Sequence, residues 1–300
     1  MDVFRTPDER FEGLPDYGYE PRYADVGGLR MHFLDEGGDA GGGEGQGRPI
    51  VCFHGEPTWA YLYRKMLGPL VGGGYRVVCP DLAGFGRSDK PTDRGWYSYD
   101  GHVDLVSKLL DGLDLSDAVV VVQDWGGPIG LRWAVENSDR VGALAILNTG
   151  LFTGRVSKGF LAWREFAEKN PDLPVGNVIR GATTSDLSDE VVAAYEAPFP
   201  TVESKAGAAQ FPLLVPISDE DAGASEMRAV ADELSRWDKP ALLAFSDTDP
   251  VFPYPKAGER FIDLIPTADE QVRIEGAAHF LQEDRGEQIA QELLGFLRKA

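Results

Sequence analysis

Short runs of apolar residues alternate along this chain with longer amphipathic stretches, and this alternation restricts the fold more than any other feature. The clearest apolar run is Ala118–Val122, in which four valines follow an alanine. Similar runs occupy residues 49–53, 75–79, 143–147, 240–245 and 272–275. Short apolar runs separated by helix-length amphipathic stretches indicate parallel strands covered by helices. We therefore expect an α/β fold with a mostly parallel central sheet flanked by helices.

The amphipathic stretches predict where the helices lie. We expect helices at 59–70, 99–113, 128–137, 257–264 and 287–297, and an early antiparallel strand at 29–34. Between about Thr149 and Arg236 the alternation stops, and helix-like pieces separated by Pro- and acid-rich joints take its place. We interpret this stretch as a helical cap inserted after the sixth strand of the sheet. The predicted core domain is residues 1–149 and 237–300, and the predicted cap domain is residues 150–236.

The charge of the chain excludes several classes of partner. It has 29 Lys and Arg residues against 49 Asp and Glu residues, a formal net charge of −20 over 300 residues. An acidic field repels phosphate backbones and anionic lipids, so we expect no binding to nucleic acid or to a membrane surface. No run reaches the roughly 18 apolar residues of a membrane span. The first residues lack a basic segment followed by an apolar one, so we expect a cytoplasmic protein. The acidity fits a high-salt cytoplasm and an ordinary acidic enzyme equally well.

The cysteines and histidines are few enough to consider one by one. Cys52 and Cys79 lie in apolar runs and are predicted to be buried without a disulfide, and two thiols are too few for a cysteine metal site. We expect no metal, no cofactor and a monomeric chain. Of the four histidines, His32 and His102 are expected at the surface, and His54 is expected to form structural hydrogen bonds. A glycine-rich turn at 37–47 is predicted to be the mobile tip of a hairpin.

Asp124 stands where the strongest predicted strand meets a helix. The segment VVQDWGG at 121–127 places small residues after this aspartate, as in the nucleophile elbow that exposes a reactive side chain at the carboxyl edge of a sheet. The match is imperfect, because Val122 replaces the first glycine of the usual motif and the central residue is neither Ser nor Cys. The alternative for Asp124 taken alone is an aspartate that caps the helix.

Two further side chains follow later strands and complete a catalytic order. Asp249 comes after the predicted strand at 240–245, and His279 comes after the one at 272–275. Nucleophile, acid and histidine in this chain order are typical of α/β-hydrolases. Asp247 competes with Asp249 for the role of the acid, and Asp249 is favoured. Glu56 follows the strand at 49–53, where such folds supply a backbone N–H to the oxyanion hole.

The sequence resembles the haloalkane dehalogenases of the α/β-hydrolase superfamily, and the resemblance extends over nearly the whole chain. The segments that carry the resemblance are FHGEPTW at 53–59, YLYR at 61–64, PDLAGFGRSDKP at 80–91, VQDWG at 122–126, APFP at 197–200 and HFLQE at 279–283. The resemblance implies an α/β-hydrolase fold and the subgroup whose acid follows the late strand and whose second halide ligand is a cap tryptophan. The implied partners are a small halogenated alkane, water and halide.

The resemblance also assigns roles to residues of this chain. It implies Asp124 as the nucleophile, His279 as the general base and Asp249 as the acid that orients it. Trp125 and Trp163 would bind the halide through their indole N–H groups. The backbone N–H groups of Glu56 and Trp125 would form the oxyanion hole. The side chains expected to line an apolar substrate pocket are Phe166, Phe199, Pro212, Val215 and Phe280.

The chemistry of a carbon–halogen bond suits an aspartate. Because halide leaves without protonation, the nucleophile should already be anionic at neutral pH, and a carboxylate with an ordinary pKa of ~3.9 is anionic whereas serine is not. Epoxide hydrolysis by the same nucleophile is the main alternative, but it needs an acid from cap tyrosines, and the insertion holds only Tyr195. Fluoroacetate dehalogenases would show Arg in place of Trp125. A non-catalytic binding protein on this fold is a third interpretation.

Overall fold

Eight strands form one sheet in the structure, a computed structural model that describes residues 1–38, 45, 47–154, 156 and 158–300. The strands are β1 (Arg22–Val26), β2 (Leu29–Glu36), β3 (Pro49–Phe53), β4 (Arg76–Pro80), β5 (Ala118–Val122), β6 (Val141–Leu147), β7 (Ala241–Ser246) and β8 (Gln271–Ile274). Their spatial order is β8-β7-β6-β5-β3-β4-β2-β1. The pairs β1–β2 and β2–β4 are antiparallel and the other pairs are parallel. The prediction of a mostly parallel sheet is confirmed.

Ten α-helices accompany this sheet in the described part of the chain. They are α1 (Arg64–Gly72), α2 (Tyr99–Asp111), α3 (Gly126–Glu136), α4 (Lys158–Lys169), α5 (Val175–Gly181), α6 (Asp189–Glu196), α7 (Ala206–Leu214), α8 (Ala224–Leu234), α9 (Lys256–Leu264) and α10 (Leu281–Leu297). The helix expected at 59–70 is a 3₁₀ turn, Ala60–Tyr63, that continues into α1. Because every residue of β5 is buried, this strand lies at the centre of the core.

The insertion begins after the sixth strand of the sheet in chain order, as predicted. Helices α4 to α8 all lie between β6 and β7. Within this segment α4 packs against α7 and α5 packs against α6, while α8 packs against α3. The insertion is therefore helical and contacts the elements around it, whereas its description as a separate domain of residues 150–236 stays a prediction.

The expectation that His32 and His102 lie at the surface is wrong. Both are at most 1% exposed. Nδ1 of His32 lies 2.7 Å from Oδ2 of the buried Asp81, while the ring of His102 packs edge-on against Phe211 with centroids 4.7 Å apart. The burial of each histidine is decided by packing partners far away in the chain, which the local sequence does not show.

The last helix starts six residues before the predicted position. It begins at Leu281 and bends at Arg285, where φ is −141° and ψ is 35°. Its first turn contains polar side chains that are buried against other elements, so the apolar periodicity that marks a helix is hidden there. Cys52 and Cys79 are buried and carry free thiols, as predicted. Most of the glycine-rich turn predicted at 37–47 lies outside the described residues.

Among the residues described, no helix combines the length and the apolar character needed to cross a membrane.

A short antiparallel ladder joins Val3–Phe4 to Lys90–Pro91, separate from the large sheet.

Candidate active site

Asp124 occupies a sharp turn between β5 and α3. Its φ is +50°, in the left-handed region that aspartate tolerates better than most side chains. The turn is crowded, because a Cβ atom at Gly126 would overlap the carbonyl oxygen of Phe53. Val122, which replaces the first glycine of the usual motif, is accommodated by Gly130 on α3, where an added Cβ would lie only 2.7 Å from Cγ1 of the valine. The backbone therefore forms a nucleophile elbow despite the imperfect motif.

Three predicted side chains come together at the carboxyl edge of the sheet. Nδ1 of His279 lies 3.0 Å from Oδ2 of Asp249, and its Nε2 lies 3.5 Å from Oδ2 of Asp124. Asp249 is itself fixed by the backbone N–H of Val251, which donates to Oδ1 at 2.7 Å. Asp247 instead accepts from Arg273 at 3.1 Å, away from the imidazole. The structure thus places Asp249, and not Asp247, beside the histidine.

The two carboxylates control the protonation of His279. Burial favours the neutral imidazole, but the negative charges of Asp249 and Asp124 outweigh it and raise the pKa of His279 to about 10. With both carboxylates ionised, the histidine is therefore an imidazolium at neutral pH. Loss of the charge on either carboxylate would lower this pKa.

Glu56 meets Asp124 in two ways. Its backbone N–H donates to Oδ1 of Asp124 at 2.8 Å, which is the geometry expected of an oxyanion-hole donor. Its side chain is 7% exposed, and Oε1 has no hydrogen-bond partner among the described residues. Burial, reinforced by the charge of Asp124 and opposed by His279, raises the pKa of Glu56 well above its usual range. Burial therefore favours the protonated form of this carboxyl group beside the nucleophile.

Trp125 lies in an aromatic wall next to the nucleophile. It is 3% exposed, and its ring centroid lies 5.3 Å from Phe211 and 5.6 Å from Phe152. Trp163 lies on α4 in the insertion, half-buried, with its ring stacked on Phe166 at 5.8 Å. The structure describes no ring contact between the two tryptophans.

The expected pocket residues differ in burial. Phe280 packs edge-on against His279, with centroids 4.8 Å apart, and Phe199 packs edge-on against Phe85 at 6.3 Å. Pro212 and Val215, at the end of α7, are also buried. Phe166 is different, since it is 41% exposed and its described ring contact is with Trp163.

Four side chains near the site were missed by the sequence reasoning. Nε2 of Gln123 donates to the backbone carbonyl of His279 at 3.2 Å, and Nδ2 of Asn148 donates to that of Ala278 at 2.9 Å. The ring of Phe252 stacks on His279 at 5.9 Å, and that of Phe152 packs on Trp125. All four lie in the segments that follow β5, β6 and β7, so their position at the carboxyl edge of the sheet was the available signal.

A buried polar network next to α10 explains the single tyrosine of the insertion. Arg64 donates twice to the carboxylate of Glu283, at 2.6 and 2.8 Å, and the hydroxyl of Tyr195 donates to the same carboxylate at 2.6 Å. Although burial opposes ionisation, these donors lower the pKa of Glu283 to about 2. Tyr195 is fully buried, and its ring packs on Tyr61. Its hydroxyl is therefore engaged within the core and is not presented to a substrate.

Comparison with known proteins gives a consistent result. A family model described as the alpha/beta hydrolase fold matches residues 48–286. The haloalkane dehalogenase of Psychrobacter cryohalolentis K5 is 45% identical over 99% of this chain and 98% of the relative. Haloalkane dehalogenase 1 of Mycobacterium tuberculosis H37Rv is 46% identical over 99% of both chains. Among solved structures, the haloalkane dehalogenase DpaA from Paraglaciecola agarilytica NO2, described as tetrameric, superposes with a TM-score of 0.90 at 35% identity over 97% of each chain.

Proposed function

Because this chain belongs to the haloalkane dehalogenase family, we propose that it hydrolyses haloalkanes to an alcohol, a halide ion and a proton through a covalent alkyl ester on Asp124. One observation carries the mechanism. The carboxylate of Asp124 has one oxygen held by the backbone N–H of Glu56, while the other faces His279, which in turn contacts Asp249. The two oxygens of the Asp124 carboxylate therefore have different contacts, and we assign them different roles in the two chemical steps.

In the first step Asp124 displaces the halide. Oδ2 attacks the sp³ carbon, a C–O bond forms, and the C–halogen bond breaks with its electron pair leaving on the halide. The departing ion gains charge inside an apolar site, so N–H donors aimed at it lower the barrier. We assign these donors to the indoles of Trp125 and Trp163, which donate without offering a competing nucleophile. Phe199, Pro212, Val215 and Phe280 are proposed to enclose the alkyl chain, with Phe166 at the outer surface of the insertion.

In the second step water regenerates the carboxylate. Alkylation removes the charge of Asp124, so the pKa of His279 falls and the imidazole can act as a base. Nε2 takes a proton from water while the water oxygen attacks Cγ of Asp124. The developing oxyanion on Oδ1 is held by the backbone N–H groups of Glu56 and Trp125. Collapse breaks the bond between Cγ and Oδ2, and the imidazolium, stabilised by Asp249, returns its proton to Oδ2 as the alcohol leaves. The carboxylic acid left on Asp124 releases its proton to solvent, which restores the carboxylate.

The proposal extends to organisation and location. Residues 1–149 and 237–300 form the catalytic core, and residues 150–236 form the cap that covers it. The protein is monomeric and cytoplasmic and binds neither nucleic acid nor membrane surfaces, consistent with its charge of −20. The DpaA structure is described as a tetramer, so light scattering after gel filtration is the measurement that tests the proposed monomer.

Epoxide hydrolysis is less well supported. That reaction requires an acid on the epoxide oxygen, and the hydroxyl of Tyr195 is buried and donates to Glu283. Binding without catalysis is also disfavoured, since an isolated binding role would not require a base and an acid aligned on a carboxylate.

Parallel assays test the proposal. Purified protein is incubated with 1-bromobutane, 1-bromohexane and 1,2-epoxyhexane, and bromide, alcohol and diol are quantified. We expect equimolar bromide and alcohol from the bromoalkanes and little diol from the epoxide. Diol formation faster than bromide release would favour the epoxide hydrolase interpretation. Binding of all three compounds without turnover would favour a non-catalytic protein.

A further inference from the structure

A cavity lies beside the proposed catalytic residues, and its described lining does not include Asp124 or His279. It has a volume of about 480 Å³, within the range of small-molecule sites, and it lies among the segments that follow β6 and β7, helix α9, and parts of α4 and α8. Its walls are mainly apolar and include Leu151, Phe152, Phe160, Val251, Phe252 and Phe261. No carboxylate is among the described residues that line it.

Two aromatic rings separate this cavity from the catalytic residues. Phe152 lines the cavity and packs against Trp125, with ring centroids 5.6 Å apart. Phe252 also lines it and stacks on His279 at 5.9 Å, with 23° between the ring planes. The cavity and the active site therefore share a wall, and a ligand in the cavity would be distinct from a substrate on Asp124.

The lining contains two cations that have no partner. Lys256 and Arg260 lie four residues apart on α9, which places them on one face of the helix, and both are exposed. The side chain of neither residue forms an ion pair, a hydrogen bond or a ring contact with any residue that the structure describes. Every other described arginine has at least one such contact. The charges of both side chains therefore remain available to an external anion at the edge of the apolar cavity.

We propose that this cavity binds an anionic single-chain aliphatic carboxylate, with the carboxylate held by Lys256 and Arg260 and the alkyl chain in the apolar interior. The guanidinium of arginine matches a carboxylate in shape as well as in charge. Lys256 also begins α9, so the positive end of the helix dipole adds to the attraction. An aliphatic tail buries its surface against the phenylalanine walls. Charge complementarity at one end and apolar contact along the rest together specify an amphiphile.

Decanoate is a suitable probe, and calorimetric titration below its micellar concentration measures its binding. We expect one molecule per chain for the unmodified protein. The double variant Lys256→Gln with Arg260→Gln should bind decanoate at least about fivefold more weakly, because two charge contacts are lost. The matched control is Lys169→Gln with Lys299→Gln, which removes two exposed cations outside the cavity and should leave the affinity unchanged.

Two further titrations locate the ligand. Ala231→Trp places a large side chain in the cavity from α8 and should abolish decanoate binding in a protein whose circular dichroism is unchanged. Decanol has the same chain without the charge. It should bind the unmodified protein more weakly than decanoate does, and it should bind the Lys256 and Arg260 double variant with the same affinity as decanoate.

Several results would overturn the proposal. Equal affinity of decanoate for the double variant and the unmodified protein would show that the cations do not hold it. Equal binding of decanol and decanoate would indicate a purely apolar site, and full competition by acetate at equal concentration would indicate a small-anion site. Because the readout is binding rather than halide release, these outcomes are independent of the proposed catalytic function.

Discussion

Nε2 of His279 lies 3.5 Å from Oδ2 of Asp124, so the proposed base and nucleophile face each other across a distance slightly longer than a hydrogen bond. The geometry links the two chemical steps. In the resting enzyme the carboxylates of Asp124 and Asp249 raise the pKa of His279 to about 10 against the effect of burial. Alkylation neutralises Asp124, and the imidazole then becomes available as a base when ester hydrolysis requires it.

Replacement of His279 by phenylalanine should separate these steps. His279→Phe retains the nucleophile, so it should release about one bromide per enzyme from 1-bromobutane and then stop, because no base activates water. Rapid-quench halide measurement gives the stoichiometry, and peptide mass spectrometry should find a butyl group on Asp124. Sustained turnover by the variant, or a stalled enzyme without the adduct, would contradict the two-step scheme.

Asp249 and Asp247 form a natural matched pair two residues apart. Asp249→Asn removes the charge that orients and stabilises His279, so ester hydrolysis should slow by about 10²–10⁴-fold. Asp247→Asn weakens an ion pair with the half-exposed Arg273, while Oδ1 of the asparagine can still accept from the backbone N–H of Gly276. Hydrolysis should therefore change less than about twofold and stability by about 1 kcal/mol or less. Single-turnover decay of the alkyl-enzyme measures both rates. A larger effect at Asp247 would transfer the acid role to that residue.

The Glu56 side chain should make stability depend on pH. Burial and the nearby Asp124 raise the pKa of Glu56 well above its usual range, so the folded protein keeps a proton that the unfolded chain loses above about pH 4.5. Folding is therefore penalised increasingly as the pH rises from 4.5. Glu56→Gln removes the titrating group. The gain in unfolding free energy of this variant over the unmodified protein should therefore be larger at pH 8 than at pH 4.5. Urea unfolding at both values measures this difference, and an equal effect at the two values would show that the folded state does not retain the proton.

The contact between Tyr195 and Glu283 should stabilise the attachment of the insertion. Tyr195→Phe deletes a hydrogen bond to a buried carboxylate and should cost about 1.5–3 kcal/mol of unfolding free energy at pH 7. Because the pKa of Glu283 is lowered to about 2, the stability that its ionised form contributes is present above about pH 4.5 and is lost as the pH falls toward 2. The cost of the substitution should therefore shrink on acidification.

Tyr254→Phe is the matched control for this measurement, because Tyr254 lies outside the network and packs beside Arg273. Chemical unfolding of both variants at pH 7 and pH 3 tests the difference. A cost for Tyr195→Phe that equals the cost for Tyr254→Phe would indicate that the hydrogen bond adds nothing to stability.

The proposed catalytic side chains could be brought together from sequence because the end of each strand is a local signal. Asp124, Asp249 and His279 each follow an apolar run, and parallel strands bring their carboxyl ends to one edge of a sheet. The same logic predicted the location of the insertion. These inferences needed only the pattern of short apolar runs and the chain order of three residue types.

Other features depend on contacts between residues far apart in the chain, and local pattern does not report them. The burial of His32 is an example, since its partner Asp81 is 49 residues away. The start of α10 is a second example, because Glu283 has the sequence character of a surface residue. Its burial depends on the pair it forms with Arg64, which is 219 residues away. The cavity beside Phe152 and Phe252 depends on how five separate segments pack, and no sequence period encodes it.

The fate of oxygen from water distinguishes a covalent intermediate from direct attack on the substrate. Under single-turnover conditions in H₂¹⁸O, with enzyme in excess over 1-bromobutane, water attacks Cγ of Asp124 and the alcohol takes its oxygen from the original carboxylate. The label should therefore enter the peptide that contains Asp124, while the first butanol formed remains ¹⁶O. Mass spectrometry of the digested enzyme and of the product measures both. Labelled butanol together with an unlabelled peptide would mean that water displaces the halide directly, with Asp124 serving only as a base.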